Sequence, residues 1–251
     1  MKTPYSVFLA LILLLFSMST GYAADSMVLI EPDRYLKNGK KIYPSLKSFY
    51  IDRFEVTVEE YFDFLKGGTF KNLKGYRTPK RKHLKQAAAR IHWFEAQSYC
   101  HSKGKRLPTN TEWSAAAVGA DRIFPWGNDN LNGKKANYCD VNCSTPWMDF
   151  EENDQYEKIA PVGSYPEGQT PEGLFDMGGN LWEWTSTVSG QNRDLEFQGK
   201  EHSQDDNYLK MIIRGGSYGS RADQIKNRSQ SQSPAFFRSS HVGFRCVRTV
   251  P

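Results

Sequence analysis

Residues 123–179 read almost entirely as turn chemistry. Trp126-Gly127-Asn128, Asn132-Gly133, Pro166-Glu167-Gly168 and Met177-Gly178-Gly179 are separated by single aromatic residues, with no helical or alternating period between them. A long irregular stretch inside a compact domain makes few ladder hydrogen bonds, so something else must order it. Bound ions and cross-links are the physical options, and a composition of 39% apolar and 24% charged residues with 20 Gly and 12 Pro excludes collagen-like, coiled-coil and largely disordered chains.

Regular structure is expected before and after this stretch. Thr57 and Glu60 form a capping box, and Val58, Tyr61, Phe62 and Leu65 follow at i, i+3, i+4 and i+7 before Gly67-Gly68, which predicts a short one-sided helix. Trp93, Ala96 and Cys100 keep one helical face up to Gly104, placing Cys100 in the core. Thr109 and Glu112 are a second capping box, opening a helix over 110–118 that Gly119 stops. Strand-like runs return at 209–214 and 242–250, the latter with Phe244, Cys246 and Val250 on one period-2 face. No linker, repeat or low-complexity block divides the chain, so one domain is expected.

The N-terminus reads as a leader. Lys2 precedes an unbroken apolar run from Val7 to Phe16, and Gly21-Tyr22-Ala23 supplies small residues for cleavage, so 1–23 is expected to be a signal peptide and 24–251 the domain. The run is shorter than the roughly 20 residues a membrane-spanning helix needs, and no later segment approaches that length. A secreted or periplasmic protein is expected, in which cysteines are candidates for disulfides. The formal charge of +5, from 33 basic and 28 acidic residues, is spread without a basic run and gives no argument for nucleic acid. The histidines at 83, 92, 101, 202 and 241 show no HxxxH or HxH spacing, so they give no local metal or catalytic motif. Sequons stand at Asn142-Cys143-Ser144 and Asn227-Arg228-Ser229.

Seven blocks together resemble one family. They are YIDRFEVT at 50–57, GKRLPT at 104–109 followed by Glu112-Trp113, PWGN at 125–128, APVGSYP at 160–166, GLFDMGGNLWEWT at 173–185, RGGSY at 214–218 and GFRC at 243–246. Their order and spacing are similar to those of the formylglycine-generating enzyme, or sulfatase-modifying factor, family. The resemblance implies an α+β, C-type-lectin-like single domain with little regular secondary structure, stabilised by calcium and disulfides. It implies one calcium held by the side chains of Asn137 and Asp154 with the carbonyls of Tyr138 and Tyr156. A second would take the Asp176 and Glu183 side chains with the carbonyls of Gly179 and Leu181. Oxygen ligands of these kinds suit calcium, and solvated acids in Asx turns are the plain alternative. It further implies a Cys100–Cys246 bridge, while Cys139 and Cys143, four apart in a loop, are close enough to bridge each other. For Trp182 and Trp184 core filling is the better reading.

Formylglycine formation needs thiolates that hold copper and the substrate thiol, and aerobic members carry two cysteines for this between the RGGSY and GFRC blocks. Here residues 218–243 contain none. Ser220, the closest counterpart, is a poor soft-metal ligand, so a copper-thiolate route is not expected. The implied groove would be lined by Arg214, Ser217, Ser220, Arg221 and Arg228. These residues equally suit a scaffold, with Gly215 and Gly216 allowing close backbone approach. The expectation is a calcium-stabilised binding or accessory protein taking a peptide, protein or glycan ligand. The alternative is an oxidase of the same superfamily, either a divergent sulfatase-maturing enzyme or one that tailors a siderophore or peptide without cysteines.

Overall fold

The computed structural model describes residues 27–67, 80–191, 193–195 and 208–250. The leader, Gly68 and His202 lie outside them. The α1 helix (Val58–Lys66) starts where Thr57 Oγ1 accepts from Glu60 N and Glu60 Oε2 accepts from Thr57 N, so two otherwise orphaned donors are satisfied locally. Its inward stripe is Tyr61, Phe64 and Leu65. Phe62, expected on that stripe, stays half-buried beneath Lys66 Nζ, 4.5 Å from its ring centroid. The α3 helix (Asn110–Val118) has the same reciprocal cap from Thr109 and Glu112, and Gly119 ends it at φ 54°. The α2 helix (Trp93–Ser102) begins with a cap that the sequence reading missed, because His92 Nδ1 takes the role usually filled by a short hydroxyl or carboxylate and accepts from Glu95 N.

The strands form separate sheets. One has the order β1 (Met27–Ile30), β4 (Phe49–Asp52) and β9 (Val247–Thr249), all antiparallel. Another has the order β7 (Gln230–Pro234), β6 (Lys210–Arg214), β5 (Trp182–Val188) and β8 (Val242–Gly243), with β5 and β8 parallel. A small hairpin joins β2 (Leu36–Lys37) to β3 (Lys40–Lys41). The strand expected over 242–250 is therefore two strands: the chain leaves the β5 sheet after Gly243 and joins the β4 sheet at Val247. At the crossover Phe244, Arg245 and Cys246 are all buried, so the alternating face cannot persist. Every residue of β5 is buried, and Trp182, Trp184 and Val188 belong to one core cluster. Trp184 fills the core and donates Nε1 to Ile91 O at 2.9 Å.

Between residues 123 and 179 the chain has no strand or α-helix, only a 3-10 turn at Pro166–Gly168 and isolated bridges. Among the described residues no helix is long and apolar enough to cross a membrane. All four cysteines are paired, Cys100 with Cys246 and Cys139 with Cys143. The Asn227 sequon is spent inside the fold, its Nδ2 donating to Ala117 O and Arg122 O at 3.1 Å each.

Candidate functional site

The irregular segment folds back on itself around Asn137 and Asp154. Asp154 is buried, its Oδ2 accepting from Tyr138 N and its Oδ1 from Tyr156 N. Burial, and after it the neighbouring Asp140 carboxylate, raise its pKa to about 7 against the restraint of those two N–H donors. Asn137 is 1% exposed, and its Oδ1 has no hydrogen-bond partner. A buried acceptor left without a donor costs about 1–3 kcal/mol. The first oxygen set thus brings together an orphaned amide oxygen and a carboxyl that resists ionising, both of which fit a cation with oxygen ligands.

The second set is built where the segment enters β5. Asp176 and Asn180 adopt left-handed backbone, at φ 57° and 56°, and Gly179 at φ 89° carries no Cβ where one would collide with the Asn137 backbone. The two sets therefore pack backbone to backbone. Asn180 joins them: its Oδ1 accepts from Asn137 Nδ2 at 3.0 Å, and its Nδ2 donates to Glu55 Oε2 at 2.5 Å. Burial raises the Asp176 pKa to about 6, with Arg245 pulling it down and Glu183 pushing it up. Glu55, quoted in the first sequence block without a role, is pushed up by burial and then by Asp176 and Glu183. Arg245 answers part of this charge. Its Nε donates to Glu183 Oε2 at 2.8 Å and its Nη2 to Glu183 Oε1 at 2.7 Å, and Trp113 Nε1 also donates to Oε2. Three buried carboxyl groups face one guanidinium, and burial raises the pKa of the two that are not bonded to it. Among the described residues no three His, Cys, Asp or Glu side chains converge on a metal position.

The turn of residues 217–220 lies against both sets. Tyr218 N donates to Asn180 O at 2.9 Å and Cys139 N to Ser220 O at 3.0 Å. Ser217 and Ser220 are buried, with their hydroxyls 3.3 Å apart and Ser217 N donating to Ser220 Oγ. Gly216, at φ 81°, leaves space that a Cβ could occupy only at 2.8 Å from Ile225. Arg214 is not presented to a groove. It is buried over the Trp113 ring and bonded to Asn110 Oδ1, Ser114 Oγ and Asn227 O, and burial pushes its pKa down to about 10. Arg221 and Arg228 are exposed and pair with Asp223 and Asp121. The structure therefore brings Ser217 and Ser220 together, makes Arg214 scaffold, and leaves the other two arginines on the surface. The sulfurs nearest in sequence to a main-chain contact with this turn are those of the Cys139–Cys143 bridge.

Residues 19–250 match the sulfatase-modifying factor enzyme 1-like domain family. The chain is 29% identical to the formylglycine-generating enzyme of Mus musculus over 190 residues, 73% of this chain and 50% of that protein. It is 30% identical to the inactive C-alpha-formylglycine-generating enzyme 2 of Bos taurus over 175 residues, 66% of this chain and 52% of that protein. The chain thus spans about half the length of these relatives. In fold it is similar to PvdO from Pseudomonas aeruginosa, with TM-score 0.59 and 20% identity, over 89% of this chain and 90% of that one. A single α+β domain with a bridged, turn-built centre, matched along almost its whole length, places the chain in the sulfatase-modifying factor enzyme 1-like family.

Proposed function

We propose that this chain is an exported, calcium-stabilised binding or accessory protein that retains the family scaffold without its copper-thiolate chemistry. The observation that carries this reading is the allotment of sulfur. All four cysteines are in disulfides, and the buried Ser220 hydroxyl stands at the closest counterpart of a family thiol. A serine hydroxyl stays protonated near neutral pH and is a poor ligand for a soft metal. Incubation of the mature protein with copper, oxygen and a peptide carrying CxPxR is expected to yield no formylglycine by mass spectrometry, with or without a mild thiol reductant. Conversion dependent on Cys139 or Cys143 would move the chemistry to that bridge and overturn the reading. Two disulfides and the leader-like N-terminal run support export.

Calcium would be held by the Asn137 and Asp154 side chains with the Tyr138 and Tyr156 carbonyls, and by Asp176 and Glu183 with the Gly179 and Leu181 carbonyls. When bound it would neutralise buried carboxylates and tie irregular segments that have no ladder of their own. Removing it with EDTA is expected to lower the melting temperature by about 5–10 °C, the shift for a ligand held near a hundred times its Kd on a domain of this size. An unchanged transition, with no calcium by elemental analysis, would sink the calcium reading.

A further inference from the structure

Beside the turn of residues 217–220, side chains from three separate segments meet around Gly219, and the backbone of a fourth is bonded to the residue two before His241. Trp147 is 50% exposed, and its Nε1 donates to Gly219 O at 3.4 Å. Its one polar atom is thereby engaged, which fixes the ring and leaves carbon surface facing solvent. Tyr218 and His241 are stacked, with centroids 4.5 Å apart and planes at 17°. Gly219 keeps this corner open, since a Cβ there would stand 2.9 Å from His241 Nε2. Ser240 Oγ lies 3.2 Å from His241 Nδ1 and sets the imidazole edge. Among the described residues no protein group bonds the Tyr218 hydroxyl.

The fourth segment supplies charge. Arg90 is exposed and sits in left-handed backbone, φ 63°, held there because its N donates to Ser239 O and its carbonyl accepts from Arg238. A non-glycine residue in that region is strained, and such strain concentrates at sites of function. Among the described residues no carboxylate pairs with its guanidinium. Ser239 links the two segments, its carbonyl accepting from Arg90 N and its Oγ from His241 N; burial and then the Arg90 charge lower the imidazole pKa.

We propose that Trp147, Tyr218, His241 and Arg90 form a binding site for an acidic saccharide. This rests on the reading of the chain as a binding protein and names the ligand class for the same face. A sugar ring offers a C–H face to a fixed, exposed indole and hydroxyls to the Tyr218 and His241 edges, and its carboxylate or sulfate complements the unpaired Arg90. The serines at 239 and 240 make the surroundings polar, which suits a hydroxyl-covered ligand better than the apolar centre of a protein interface. The Tyr218 and His241 rings are already stacked, so ordering cost on binding falls mainly on the Arg90 side chain.

The test is calorimetric and fluorescence titration of the full mature chain with a galacturonate hexasaccharide, a heparin-derived hexasaccharide and a neutral galactose hexasaccharide. At least one acidic probe should bind saturably, and the neutral one at least about tenfold more weakly, a ratio typical of one charge contact. Trp147→Ala and Arg90→Gln should each weaken binding about tenfold with unchanged melting temperatures, since both side chains are exposed and outside the core. The two acidic probes distinguish carboxylate from sulfate as the anion recognised. Absence of saturable binding by either acidic probe overturns the proposal, as does equal affinity for the neutral one. Binding that survives either substitution overturns it too, because that is the signature of polyanion adsorption to a chain with more basic than acidic residues. Formylglycine in the peptide assay would refute the non-catalytic reading without altering these affinities, so the two failures are separable.

Discussion

Replacing Arg245 with methionine is expected to destabilise the domain by about 3–5 kcal/mol, a loss that removes one partner of a fully buried ion pair. Both Arg245 and Glu183 are 0% exposed. Methionine keeps much of the volume, so the effect isolates charge and hydrogen bonding from packing. Arg245 bonds both Glu183 oxygens, and in addition donates from Nη1 to Asp52 O and Arg53 O and from Nη2 to Phe175 O. One side chain therefore ties β5, the end of β4 and the irregular segment to the crossover between sheets. Without it Glu183 keeps only the Trp113 donor, the carbonyls of Asp52, Arg53 and Phe175 each lose one donor while Arg53 O keeps Phe175 N, and Glu55 and Asp176 lose the charge that opposes their rise in pKa. Domains of this kind are stable by only about 5–15 kcal/mol, so the loss is a large fraction of the total. Urea unfolding in calcium-containing buffer measures it. A variant within about 1 kcal/mol of the parent would refute the assignment, since that is the range of an ordinary surface ion pair. The double variant Arg245→Met/Glu183→Leu should recover part of the loss, because replacing both partners removes the buried unpaired charge.

Loss of the Cys100–Cys246 bridge in the Cys100→Ala/Cys246→Ala variant should cost about 2–5 kcal/mol, the usual range for a native bridge that closes a long loop. Its partners are 146 residues apart and 0% exposed, joining α2 to the crossover that holds Arg245. The Cys139→Ser/Cys143→Ser variant should cost clearly less, because that bridge closes a loop of only four residues' separation. Equal urea midpoints for the long-range variant and the parent would contradict this. Exposure gives an independent check: Cys143 is half-buried while Cys100 and Cys246 are not accessible. Mild reduction followed by alkylation should therefore label residues 139 and 143 first. Simultaneous labelling of all four would show that the long bridge opens as readily as the local one.

Those two bridges and the helix starts show where sequence reasoning succeeds. A capping box is a contact between residues three apart, so Thr57/Glu60 and Thr109/Glu112 could be recognised before any fold was known. His92 obeyed the same geometry with an unusual cap and was missed. Phe62 fits the i, i+4 spacing, yet Phe64 takes the inward place because Tyr99, from α2, packs against it at 5.3 Å between ring centroids. The break at residues 244–246 was invisible because an apolar run does not reveal that its two ends belong to different sheets.

The candidate site divides in the same way. Sequence placed Asn137, Asp154, Asp176 and Glu183 in turns rich in oxygen, and showed that residues 218–243 hold no thiol. It gave no role to Glu55 or Arg245 and could not tell a groove arginine from a scaffold one. Arg214 was decided by Asn110, Ser114 and Asn227, which come from elsewhere in the chain. The sequence by itself determined the local caps, the irregular centre, the family and the sulfur available for chemistry, since each depends on residue type and short spacing. Tertiary structure alone decided which carboxylates share one buried charge balance, which amide oxygen is left without a donor and which rings gather at Gly219. Those properties depend on burial and on distances between remote segments, and no local pattern encodes either.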